Sequence, residues 1–143
     1  MATFKDADEF YSVMRTFFEK VRFDPALGPK LAGSKMVIRF IYTDPEAEIT
    51  IDFLNPSTTT GAYADIDYGP STKKADVTMK QSADFSHKFW HGKTNVVASL
   101  ATRQIIASGS VQKALGLLPL LRPLYAVYPE TIREMGREEL VVK

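Results

Sequence analysis

The 143-residue chain has only two histidines and no cysteine. Its most reactive-looking constellation is therefore small: Asp84, His87 and His91. On a helix these positions fall at i, i+3 and i+7, close to one face, and a histidine pair four residues apart has the spacing that clamps a metal ion. A hydrolytic zinc helix would read His-Glu-x-x-His, but Lys88 stands where that glutamate belongs. No third histidine completes a ligand set. The other reading has Asp84 opening a helix while both histidines decorate its solvent face, opposite Phe85 and Phe89. A metal-dependent enzyme built on His87 and His91 ranks well behind it. Gly109-Ser110-Val111 lacks the Gly-x-Ser-x-Gly form of a nucleophile elbow, and no glycine-rich run precedes a Lys-Ser/Thr pair to cradle phosphate. No catalytic residue is assigned, and the chain is expected to be a non-enzyme without metal or cofactor.

What the sequence holds in excess is hydrocarbon. Between Leu115 and Tyr128, nine of 14 positions are Leu, Val or Tyr, where an amphipathic helix would leave about half polar. Pro119, Pro123 and Pro129 lack an N–H and clash with the preceding turn, which predicts short helical pieces able to shift against the body. Such a segment either closes an ordinary core, serves self-association, or covers a cavity for an apolar ligand.

The elements that must position these groups are readable from periodicity. Asp6 followed by Glu9 resembles a capping box, and Phe10, Val13, Met14, Phe17, Phe18 and Val21 form a helical apolar stripe. Asp24-Pro25 stops that helix and opens a short one near residues 26–31. The period then changes to two: Met36–Tyr42 and Ile49–Phe53 read as a hairpin around Thr43-Asp44-Pro45-Glu46, followed by strands near Gly61–Tyr68 and Ala75–Lys80. Residues 83–101 are helical in two pieces broken near Gly92, and Gln104–Ser108 is a fifth strand. Gly109-Ser110 then turns into a helix with Ser110 as its cap. The passage from the fourth strand through helices to the fifth has the length of a parallel connection. These elements predict one α+β domain over residues 1–143, with a mixed five-stranded sheet and helices mainly on one face.

Composition narrows the function classes. Eighteen Lys+Arg oppose 17 Asp+Glu, a net charge of +1, with 45% hydrophobic residues. That balance speaks against a nucleic-acid partner. The polar, acidic N-terminus lacks the basic start and apolar run of a signal peptide, and the most apolar stretch is shorter than the ~20 residues of a membrane span. A cytoplasmic, soluble protein is the expectation.

From Lys74 onward the order of motifs is similar to that of the sterol carrier protein type 2 domain. Ala75-Asp76-Val77-Thr78-Met79-Lys80 resembles its Ala-Asp-x-Thr-hydrophobic strand, Asp84-Phe85 its helix, and Gly92-Lys93-x-Asn95 its Gly-Lys-x-Asn-Pro joint. Gln104–Gly109 resembles the strand that leads into its apolar C-terminal helix. Val96 stands where that joint often has proline, and Ile106 replaces an outward lysine, suggesting extra cover over the last strand. The resemblance implies a sheet and helices enclosing an apolar tunnel for fatty acids, fatty acyl-CoA, phospholipids or sterols, closed by the Leu-rich segment. Burying about 16 methylenes at ~0.8 kcal/mol each yields ~13 kcal/mol gross. Association costs of roughly 4–15 kcal/mol then leave affinities weaker than nanomolar. The expected ligand-facing residues are Phe40, Ile51 and Phe53 from the hairpin, Val77 and Met79 from the fourth strand, and Phe85, Phe89 and Trp90 from the helix. Ile105 of the last strand and Leu115, Leu118, Leu121, Leu124 and Tyr125 of the closing segment complete the apolar set. Gln112 is placed to meet a ligand head. The expected partner is an apolar lipid, with transient membrane contact and oligomerisation left open. The rival function is a protein–protein or dimerisation module on the same fold.

Overall fold

The computed structural model describes residues 2–143. Helix α1 (Ala7–Phe23) starts where the Asp6 carboxylate accepts the Glu9 N–H at 2.9 Å. Glu9 completes the box one residue early, accepting from the Lys5 N–H rather than from Asp6. All six stripe residues, Phe10 through Val21, are buried. Asp24 then accepts the N–H groups of Ala26 and Leu27, and a five-residue helix α2 (Gly28–Ala32) follows.

Strands β1 (Val37–Thr43) and β2 (Ala47–Asp52) form the expected antiparallel hairpin, with Ile38 opposite Ile51 and Phe40 opposite Ile49. Strand β3 (Asp65–Tyr68) is half the expected length, because Ser57 and Thr58 fold back to bond the Asp65 carboxylate and hold the preceding residues in a loop. Strand β4 (Val77–Ser82) lies parallel to β1, and β5 (Ile106–Gly109) closes the order β3-β2-β1-β4-β5.

The parallel pair is thus β1–β4, whereas β4 and β5 run antiparallel, contrary to the length argument. Helices α3 (Ala83–Trp90) and α4 (Val96–Ala101) carry the chain out and back to the end of the sheet where β4 finished. Ile106 accordingly enters opposite Lys80. Gly109 leaves β5 at φ +88°, so close to the Asp76 carbonyl that a Cβ would collide with it. Only glycine fits this turn.

The closing region is four short pieces: α5 (Val111–Leu115), α6 (Leu118–Leu121), α7 (Leu124–Glu134) and a 3-10 turn at Glu138–Leu140. Ser110 stands at the N-cap of α5 but makes no side-chain cap bond. Pro119 sits in the first turn of α6 and Pro123 at the N-cap of α7, both positions where a missing N–H costs nothing. Pro129 does not break α7. Tyr128, Thr131 and Ile132 are fully buried around it, and tertiary packing outweighs the one lost bond. Helices α1, α3 and α7 meet over the sheet in a set of edge-on aromatic contacts. Phe17 lies 4.9 Å from both Trp90 and Tyr128, and Phe10 lies 4.6 Å from Tyr42.

Candidate functional site

The histidines are not on a solvent face. His87 is 2% exposed and His91 9%. Helix α3 is capped by Ser82, which accepts the Phe85 N–H, while the Asp84 carboxylate accepts the N–H of Thr3. That docking of the N-terminus, together with α7 and the C-terminal turn, covers the histidine side of α3.

Their hydrogen bonds define the tautomers. His87 Nε2 lies 2.6 Å from the Leu140 carbonyl, which only accepts, so Nε2–H donates and Nδ1 accepts from the Tyr128 hydroxyl at 2.8 Å. His91 Nδ1–H donates to the His87 carbonyl at 2.7 Å, and its Nε2 accepts the Val142 N–H at 3.1 Å. Both rings are neutral and both lone pairs are engaged. A metal would have to break these bonds, and among the described residues no cluster of three metal-ligating side chains exists. Burial pushes the His87 pKa down to about 4, with His91 beside it acting in the same direction, and burial likewise lowers His91. The pair is a structural latch between α3, α7 and the C-terminal residues.

The other half of the interior is different in kind. Between the sheet, the end of α1 and the helices α3–α7 lies a cavity of about 90 Å³ with an almost wholly apolar wall. The sheet supplies Ile38, Phe40, Ile51, Ile66 and Met79, with Phe53 just beyond β2. Period-two alternation puts these side chains on one face. Phe18 and Val21 come from α1, Leu31 from α2, Phe89 and Trp90 from α3, and Val96 from α4. Ile105, Ala114, Leu115, Leu117, Leu118, Leu121 and Leu124 close the opposite side.

Eleven of the expected ligand-facing residues are brought together on this wall: Phe40, Ile51, Phe53, Met79, Phe89, Trp90, Ile105, Leu115, Leu118, Leu121 and Leu124. Four are not. Val77 shares the face of Met79 but is enclosed in the solid core at 1% exposure. Phe85 turns to a shallow neighbouring depression with Lys80, Gln81 and Arg103. Gln112 is exposed; two residues before Ala114, it lies about 200° around α5 from that inward position. Tyr125 packs on Phe89 at 5.8 Å and over Gly92, whose φ of +73° and lack of a Cβ admit the ring. The extra cover suggested over Ile106 is absent, since this side chain is 44% exposed at the sheet edge.

Two polar residues on the wall carried no sequence signal. Gln81 is buried at the end of β4. Arg22 reaches in from α1, its Nη2 bonded to Glu19 at 2.8 Å and its Nη1 to the Ala64 carbonyl at 3.2 Å. Its Nε is buried without a partner. A basic residue in the last turn of an amphipathic helix reads as a partner for the helix dipole, and nothing local distinguishes Arg22 from Lys20 in that role.

An α+β domain whose single sheet and flanking helices surround an apolar cavity is the class defined by this geometry. The fold is that of sterol carrier protein 2. It matches the apo form of that protein from Yarrowia lipolytica with a TM-score of 0.60 at 19% identity, over 85% of this chain and 96% of that one. It also matches the sterol carrier protein domain 2 of Helicoverpa armigera with a TM-score of 0.59 at 19% identity, over 79% and 85% of the two chains. The arrangement recurs inside a larger enzyme, a stereoselective inverting sec-alkylsulfatase from Pseudomonas sp. There the TM-score is 0.52 at 18% identity, over 65% of this chain and 14% of that one. No protein-family model matches the sequence, nor does any curated protein. Among the described residues, no helix is long and apolar enough to cross a membrane.

Proposed function

We propose that the chain is a non-catalytic lipid-binding domain that takes an acyl chain into the cavity between the sheet and α4–α7, and passes lipid between donors and acceptors. The carrying observation is the wall itself: apolar side chains from nearly every element converge on one space, and among the described residues Arg22 and Gln81 are its only polar ones. Such a wall binds hydrocarbon by desolvation and needs no reacting group. At about 90 Å³ the cavity is smaller than the 150 Å³ engineered cavity that admits benzene. A whole long chain therefore enters only as the closing helices move outward. Helices of four to six residues, which bury one residue each in α4 and α5 and none in α6, suit that movement. As the wall opens, the Arg22 Nε, buried without a partner, becomes a donor for an oxygen-bearing head, which favours a carboxylate-headed chain over a hydrocarbon without one.

Trp90 is the chain's only tryptophan and lies on the cavity wall, so it is a built-in reporter. Titration with a polyene fatty acid should give saturable energy transfer from Trp90 at micromolar ligand. Absence of saturation would end this reading and leave the dimerisation module in its place.

A further inference from the structure

From Phe85 to Pro129 the chain carries five basic residues and no acidic one, whereas elsewhere 17 acidic residues outnumber 13 basic. The five are Lys88, Lys93, Arg103, Lys113 and Arg122. All are exposed, and none joins an ion pair among the described residues. They stand on or between the elements that wall one side of the cavity, from α3 through the start of α7.

Helix α4, in the middle of this run, is inverted relative to an ordinary surface helix. Its one buried residue is the polar Ser99, whose hydroxyl donates to the Asn95 carbonyl at 2.7 Å, while Val97 is 67% exposed. Val96, on the same helix, lines the cavity. Exposed Ile106 lies just beyond, in a shallow depression shared by Lys80, Arg103 and Gln104. Gln81 borders both this depression and the cavity, so a cationic, headgroup-sized hollow adjoins the apolar space.

We propose that α4 and its cationic surround form a docking face for an anionic phospholipid bilayer, with Val97 and Ile106 entering the headgroup–acyl boundary and the cavity opening toward the membrane. This deepens the lipid-binding reading and rests on it for its purpose. An acidic protein partner would match the charge, but it would not account for isolated aliphatic side chains exposed on elements that also carry cations and border the apolar cavity. That combination is what an interfacial helix uses: a shallow apolar insertion strengthened by electrostatic attraction.

The test is flotation of the full chain with vesicles of phosphatidylcholine alone, or with 30 mol% phosphatidylserine added, at low and high salt. Binding is expected only to the anionic vesicles and should be lost at high salt. Val97→Asp and the pair Lys93→Glu/Arg103→Glu should each lower it, with roughly a five-fold loss per cation removed. The matched control pair Lys5→Glu/Lys30→Glu should bind as the parent does. Equal binding to both vesicle types, no binding at all, or loss in the control pair as large as in the Lys93/Arg103 pair would overturn the assignment. The Trp90 titration runs beside it. Val97→Asp that still takes up the polyene fatty acid but no longer floats supports the docking face. Fatty-acid uptake by a parent that never floats refutes that face alone. Flotation with the expected variant pattern but no fatty-acid uptake supports the face and refutes the cavity reading.

Discussion

Phe17 and Phe18 are adjacent in α1 and both buried, yet they serve two different interiors. Phe17 is wedged edge-on between Trp90 and Tyr128 in the buried core shared by α1, α3, α7 and the sheet. Phe18, about 100° further around the helix, faces the cavity. The first region is held by directional contacts: aromatic edges, the His87–Tyr128 bond and the two histidine bonds to the C-terminal backbone. The second is lined by side chains without directional demands, and its cover is three helices too short to be stable alone, of which only α4 has a side-chain cap. On the proposed function the dry half keeps the frame while the greasy half opens, and stability and binding should therefore respond to mutation in different places.

That division is sharpest in stability. Phe17→Ala should cost about 3–5 kcal/mol in urea unfolding, because it hollows a region that cannot collapse. Leu118→Ala, on the half-buried cavity wall, should cost on the order of 1 kcal/mol. Equal losses would mean that both halves are packed alike.

The histidine latch makes the dry half acid-sensitive. In the unfolded chain His87 takes up a proton near 6.5, but in the fold only near 4. The unfolded state thus binds more protons between those values. The contribution of His87 to stability is complete above pH 6.5, falls by on the order of 3 kcal/mol as pH drops toward 4, and flattens below. His91, lowered in the same way, adds to the fall. Urea midpoints across this range should show the slope, and His87→Gln should reduce it. Amide exchange at Leu140–Val142 should rise in the same window while the β1–β2 hairpin stays protected.

In the greasy half, a change with little effect on the frame should abolish binding. Ala114 is buried on the cavity wall, and Ala114→Phe fills the space. Fatty-acid affinity measured through Trp90 should fall at least about tenfold, while the unfolding cost stays within the ~1–3 kcal/mol of an overpacked core. The smallest effect concerns the head. Arg22→Met should weaken a fatty acid roughly tenfold relative to the alcohol of the same chain length, as expected for one charge-assisted hydrogen bond.

The dry half was legible in the sequence where periodicity speaks. The Phe10–Val21 stripe, the alternation in β1 and β2, and the breaks at Pro25 and Gly92 each appear in the structure. The order of motifs from Ala75 to Gly109 pointed to the fold. Periodicity marks a buried face but does not say what covers it, so His87 and His91, placed on a solvent face, were buried by chain ends arriving from 50 and 80 residues away. The β5 direction escaped for a related reason: connection length does not record whether two helices cancel each other's travel. In the cavity eleven wall residues were readable, but Phe18, Val21, Leu31, Ile38, Ile66, Val96 and Leu117, which periodicity marks only as apolar, were not named for it, nor were Gln81, Ala64, Ala114 and Arg22. Small residues leave no pattern, and an arginine's destination depends on the elements around it.

The central claim is that the apolar space beneath α4–α7 holds lipid. Native mass spectrometry of the chain expressed in cells and purified without detergent addresses it most directly. A one-to-one complex with an extractable acyl lipid is expected, diminished in Ala114→Phe. Bare protein only, even after incubation with excess long-chain fatty acid, would contradict it.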